Sequence, residues 1–258
     1  MPFFRLFCLS GLFLLFGFFL MLFMPEHGFR PTPREERNNW QHMAHTFKGG
    51  ANLVRLRPAL LNILLVGLIY GLYSEGYDRL WTRHLLDRFS LPVLDGLPAL
   101  SWFAIIQTVG LLLSMAVIEI ARRRLDTGSH AAMARALLLV TAILVAALLG
   151  YAWMDQFGWA LAMIWMVGAA RSVIDPVYTA WVNQRLDSRV RATVLSMSSQ
   201  VDAMGQIAGG PAVGLIGNLV SVRAALTASA LILAPQLVLL GRSQKAAVLP
   251  EPEARPAD

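Results

Sequence analysis

The segment WALAMIWMVGAARSVIDPVYTAWVNQRLDSRVRATVLSMSSQVDAMGQIAGGPAVGLIGNLVSV, Trp159 to Val222, decides how the whole chain is read. Two apolar runs flank the short charged turn Asn183 to Arg191, and each is long enough to cross a bilayer as a helix. The first carries Arg171 and Asp175-Pro176 well inside it. The second carries Asp202, then Gly205, Gly209, Gly210, Pro211, Gly214 and Gly217. Ionisable side chains at that depth are costly in lipid, so they are expected to face protein or a water-filled path.

Composition supports the same class. Apolar residues make up 56 % of the 258 positions, charged residues 15 %, and mean hydropathy is +0.55. A soluble domain of this length needs more charge on its surface. The net charge of +6 does not indicate a nucleic-acid partner, because the basic residues stand in short linkers between apolar runs, beside lipid headgroups. Cys8 is the single cysteine, which leaves neither an internal disulfide nor a cysteine metal cluster. His42 and His45 lack a further ligand, so no metal or other cofactor is expected. All five histidines are read as linker residues, which leaves no convergent base for an enzyme, and no phosphate-binding Gly-x-x-x-x-Gly-Lys-Ser/Thr loop is present.

Read outward from 159–222, the length criterion gives seven transmembrane helices in an all-α polytopic chain. They are residues 6–24, a span opening at Pro58, 99–118, 136–154, 159–181, 192–218 and 224–241. The first run is too long in its apolar core, and too poor in small residues at its end, for a signal peptide. The predicted organisation is a helix over 1–24, a linker over 25–57, a six-helix bundle over 58–241 and a disordered tail over 242–258. Within the linker, 35–47 is predicted to form an amphipathic helix on the membrane surface. The second span is expected to end near Ser74, with Glu75 to Trp81 at the far boundary.

Charge sets the orientation. Six of the 22 Lys/Arg residues fall in 25–57, four in 122–135, three in 185–191 and three in the tail. Only Arg5, Arg79, Arg83, Arg88 and Arg223 fall on the other side, with Arg171 inside a span. The positive-inside bias predicts an outer N-terminus and a cytoplasmic C-terminus.

Four strings look familiar together: Glu75-Gly-Tyr-Asp-Arg-Leu-Trp81, Asp175-Pro-Val-Tyr-Thr-Ala-Trp-Val-Asn183, Arg191-Ala-Thr-Val-Leu-Ser196 and Asp202-Ala-Met-Gly-Gln-Ile-Ala-Gly-Gly-Pro211. On these, the chain resembles a bacterial transporter of the major facilitator superfamily over its second half plus one helix. The segment Met24 to Pro58 resembles that family's central cytoplasmic linker. Arg122-Arg-Arg124 resembles only a degenerate form of the helix-linking Gly/Asp/Arg motif, so it is assigned orientation and headgroup contact. The resemblance implies an inner-membrane protein with six helices of a C-terminal bundle. It implies secondary active transport of a small solute, with protons as coupling ion, and a partner or longer chain supplying the other half. A non-transporting fragment or partner subunit is the alternative.

Several residues stand out as candidates for the work. Arg171 and Asp175 are one helical turn apart, within pairing reach, either as a moving gate or as a static pair fixing helix packing. Asp175 and Asp202 are predicted at similar depths on consecutive antiparallel helices, where two acids would suit proton coupling. Gln206 lies one turn beyond Asp202, and Gln107 lies inside the third span. Glu75 and Asp78 stand at the outer mouth as a gate or simply as a wet boundary. Gly205/Gly209 and Gly210/Gly214 have the spacing that lets helices approach closely, and Pro211 is expected to bend the span or serve as a hinge. Asp187 between Arg185 and Arg189 reads as a salt-bridge latch or a solvated loop, and Glu119 as an ion pair with Arg122 and Arg123.

Overall fold

The apolar runs are helices in the computed structural model, which describes residues 2–23, 58–92, 101–126, 128–184 and 188–248. The chain divides into two units, Met1–Thr46 and Phe47–Asp258. The first contains α1 (Pro2–Phe23), whose large apolar side chains from Phe13 to Phe23 are exposed, as on a helix surrounded by lipid.

The second unit contains α2 (Pro58–Arg88), α3 (Ser101–Arg124), α4 (His130–Trp153), α5 (Phe157–Asn183), α6 (Ser188–Leu219), α7 (Val222–Leu233) and α8 (Pro235–Val248). Local chemistry sets their ends. Ser129 caps α4 by accepting from the Ala132 amide at 3.3 Å, and Ser221 caps α7 from the Ala224 amide at 3.1 Å. Pro235 supplies no amide hydrogen, so the last apolar run is divided at Ala234 and restarts with proline at its first helical position.

α4 forms the middle of the packing. Leu137, Leu144, Ala147, Leu148 and Tyr151 are buried where α5, α7 and α8 close on it. α2 packs most extensively on α6 and also meets α7 and α8. α3 packs mainly on α5, buries Ile106 and leaves Leu111, Leu112, Met115 and Ile120 exposed.

Several boundaries differ from those expected. α2 does not stop near Ser74 but continues to Arg88. Its added turns are held by Tyr77, Leu80 and Leu85 in the core and by a Glu75–Arg79 pair at 2.5 Å along the helix. His84, read as a linker residue, is therefore inside α2, only 4 % exposed, with its ring nearly perpendicular to that of Tyr151 and the ring centres 5.1 Å apart. α8 runs to Val248, so residues 242–248 are helical rather than tail.

Among the described residues, five stretches are long and apolar enough to cross a membrane: Leu60–Arg88, Ser101–Arg124, His130–Trp153, Phe157–Asn183 and Val222–Ser243. The last combines α7 and α8. α6 is long enough at 32 residues, but Gln200, Asp202, Gln206 and its glycines dilute its apolarity. The result is an all-α, polytopic fold; the expected count of seven stands above the five that satisfy both criteria. The predicted surface helix over 35–47, the Arg185–Asp187 latch and the tail beyond 248 lie outside the described residues.

Candidate functional site

The site begins with a contact between two backbones. A Cβ at Gly205 would lie 2.5 Å from the Leu68 carbonyl oxygen, one at Gly209 2.1 Å from that of Leu72, and one at Gly71 2.1 Å from that of Asp202. No larger residue fits, so α2 and α6 touch through their main chains. Gly210 meets the Glu75 side chain, where a Cβ would come within 2.8 Å of Cγ. Gly214 was expected in the same seam but faces open space, because its register turns it away from α2. Pro211 sits exposed within α6, and the helix continues through it to Leu219.

That contact sets Asp202 on the wall of a cavity of about 270 Å³. Gly67 and Tyr70 of α2, Asp175 and Tyr178 of α5, Ser198 and Asp202 of α6, and Gln236 of α8 line it. The two acids placed at similar depths by sequence thus share one space. Asp202 accepts a hydrogen bond from Gln206 Nε2 at 2.9 Å through Oδ2, while its Oδ1 is enclosed without a partner. Asp175 makes no hydrogen bond or ion pair among the described residues. Tyr178 donates to the Ile63 carbonyl at 2.9 Å and lies 2.8 Å from Ser198 Oγ, which is left to donate to it. Gln236 is 1 % exposed, and its Oε1 has no partner. An enclosed, unpaired carbonyl oxygen carries a desolvation cost of about 1–3 kcal/mol, which a donor in the cavity would relieve.

Arg171 does not pair with Asp175. Its guanidinium reaches Asp78 of α2 by two hydrogen bonds, 2.5 and 2.9 Å, and lies 5.9 Å from the centre of the Tyr77 ring. A carboxylate facing the fork from a neighbouring helix accepts both prongs at once, and Asp175 turns into the cavity instead. The Arg171–Asp78 pair borders a second cavity of about 500 Å³, with Trp81, Gln107, Gly110 and Trp165. Gln107 therefore belongs to this space and not to the one with the two acids. Glu75 lines neither and is held by Arg79.

Sequence reasoning missed Gln236, Tyr178, Ser198 and Tyr70. The only available cue was Gln236 directly after Pro235, a polar amide where the last apolar run breaks.

At one end of the bundle, Asp155 accepts from Arg88 and, at 3.2 Å, from Arg223. Arg223 also lies over the Trp153 ring, 4.9 Å from its centre. Hydrogen bonding and charge from Arg88, with a smaller share from Arg223, hold the exposed Asp155 carboxyl below its ordinary range. Elsewhere, Glu119 pairs with Arg122 at 2.8 Å and Arg123 at 2.6 Å, as expected. Among the described residues, no group of three His, Cys, Asp or Glu is placed to hold a metal ion.

No protein-family model matches the chain, and no curated protein sequence matches it significantly. Among solved structures, the human organic anion transporter MFSD10 (TETRAN) matches with a TM-score of 0.58 and 20 % sequence identity. The match covers 71 % of this chain and 41 % of that transporter, so the chain spans less than half of its length. The likeness is one of fold. The chain is an all-α, multi-pass membrane protein whose fold resembles that of a major facilitator transporter.

Proposed function

We propose that the chain is one helix bundle of a secondary active transporter that moves a small solute, with protons as the coupling ion. The supporting observation is the pair of carboxylates, Asp175 and Asp202, on the walls of one cavity and without a cationic partner among the described residues. In a membrane interior, a carboxylate that is not committed to a structural pair can load a proton on one side and release it on the other. The bundle corresponds in this reading to the second half of a major facilitator transporter, and α1 to the helix preceding the central linker. A longer form of the chain or a partner subunit supplies the other half. Membrane lipids surround the bundle, in a bacterial plasma membrane, with the C-terminus cytoplasmic.

The test uses the full chain in membrane vesicles of its source, a set of labelled small solutes and an imposed pH gradient. At least one solute is expected to accumulate or be extruded, and a protonophore abolishes that flux. Asp175→Asn and Asp202→Asn each reduce it at least about tenfold at unchanged protein level, the effect expected for a group in the transport path. An antibody to residues 242–258 binds only from the cytoplasmic face. Flux that is equal in vesicles with wild type and with both substitutions rejects the reading.

A further inference from the structure

We propose that the cavity bearing Asp175 and Asp202 takes a small organic cation with N–H donors, of the protonated-amine class. This rests on the transport reading of the same cavity, and it names the solute by chemistry. Two observations carry it independently.

The first is charge. Had Arg171 paired with Asp175, the cavity would hold one free carboxylate. Arg171 is instead engaged twice by Asp78, on the border of the other cavity. Among the described residues, no Lys, Arg or His lines the Asp175–Asp202 space, so both acids face it without a counter-charge there. A solute anion would meet two carboxylates and no cation, the arrangement that rejects it.

The second is hydrogen-bonding capacity. Gln236 is almost fully buried, lines the cavity and leaves Oε1 without a partner; Asp202 Oδ1 is likewise unpartnered. Tyr178 has already directed its hydrogen to the Ile63 carbonyl. The acceptors without a partner are thus Asp202 Oδ1 on α6 and Gln236 Oε1 on α8, both enclosed at the cavity wall, beside the accessible Asp175 carboxylate on α5. An ammonium group offers three donors to such a set, whereas a quaternary ammonium offers none. Tyr70 and Tyr178 add aromatic side chains to the wall, against which the apolar body of an organic cation can pack. The cavity of about 270 Å³ suits a compact solute.

The test is equilibrium binding to the full chain in detergent, by titration calorimetry. Its four probes share one skeleton: phenethylammonium, its N-trimethyl analogue, 2-phenylethanol and 3-phenylpropionate. Phenethylammonium is expected to bind saturably, and the N-trimethyl analogue about tenfold more weakly, as the loss of charge-assisted hydrogen bonds implies. Phenylpropionate and millimolar sodium are not expected to compete. Asp175→Asn and Asp202→Asn weaken phenethylammonium at least about tenfold, while Gln236→Leu weakens it and leaves the trimethyl analogue unchanged. Phenylpropionate or phenylethanol binding as tightly as the ammonium overturns the proposal, and so does the absence of binding by all four. Where a substituted chain fails to fold, the wild-type competition series alone decides. Ammonium binding without flux in vesicles keeps the cation site and rejects transport; proton-coupled flux of an anion does the reverse.

Discussion

Arg171 pairs with the carboxylate facing it on α2 rather than with the one a turn along its own helix. Sequence spacing could show that Arg171 and Asp175 share a face, but not which neighbour lies opposite. The i to i+4 rule describes an isolated helix, and a second helix at hand supplies a better-shaped partner. Arg171 and Asp78 are 27 % and 45 % exposed, so the pair is intermediate between a surface bridge and a buried one. Arg171→Ala or Asp78→Ala is expected to lower stability by about 1–3 kcal/mol, below the loss for a fully buried pair. The exchange Asp78→Arg with Arg171→Asp recovers part of that loss. Thermal unfolding of the purified chain in detergent measures all three. An Arg171→Ala chain as stable as wild type would show that the pair does nothing for helix packing. Gln236 illustrates the complementary limit: one amide in an apolar run reads as packing until the fold puts it on the wall of the cavity that Asp175 and Asp202 share.

At the scale of helices, most of the fold was legible because apolar run length carries most of the information. The runs predicted at 136–154 and 159–181 became α4 (His130–Trp153) and α5 (Phe157–Asn183), with differences only at their ends. The end of α2 was not legible, since Glu75 to Arg88 reads as a wet boundary and yet its Tyr77, Leu80 and Leu85 are core residues. Glycine spacing identified the α2–α6 seam on α6 but could not separate Gly209, where a Cβ would strike Leu72, from Gly214, where a Cβ would meet nothing within 4 Å. The two therefore predict opposite outcomes. Gly209→Ala must push α2 and α6 apart and is expected to destabilise by more than about 2 kcal/mol, as for overpacking against backbone. Gly214→Ala is expected to stabilise by about 0.5–1 kcal/mol, the usual gain of alanine over glycine inside a helix. Unfolding temperatures of the two single substitutions, read side by side, check this. Equal effects would mean the seam is not where the close backbone contacts put it.

Across the whole bundle, the ends of α2, α4 and α7 meet at Asp155, which joins Arg88 to Arg223. Helix alternation brings Arg88 and Arg223 to one end, as the distribution of positive charge implied. Because the folded Asp155 carboxyl titrates below its ordinary value, its contribution is complete above about pH 4, the unfolded range. It is lost as pH falls through the lowered folded value. The unfolding temperature of wild type is expected to exceed that of Asp155→Asn slightly at neutral pH, with the difference closing in acid. A difference constant from pH 7 to pH 3 would remove Asp155 from that role.

The direct backbone contact of α2 with α6 has a mechanical consequence. Two helices joined main chain to main chain cannot slide or tilt independently, so they behave as a single stiff lever. α5 meets α6 only slightly and belongs with α4 and α3, while α7 and α8 touch both α2 and α4. The cavity is consequently a jaw: Asp202 is carried on one arm, Asp175 on the other, and Gln236 on the broken helix pair that bridges them. A solute in the proposed site would bear on all three parts at once.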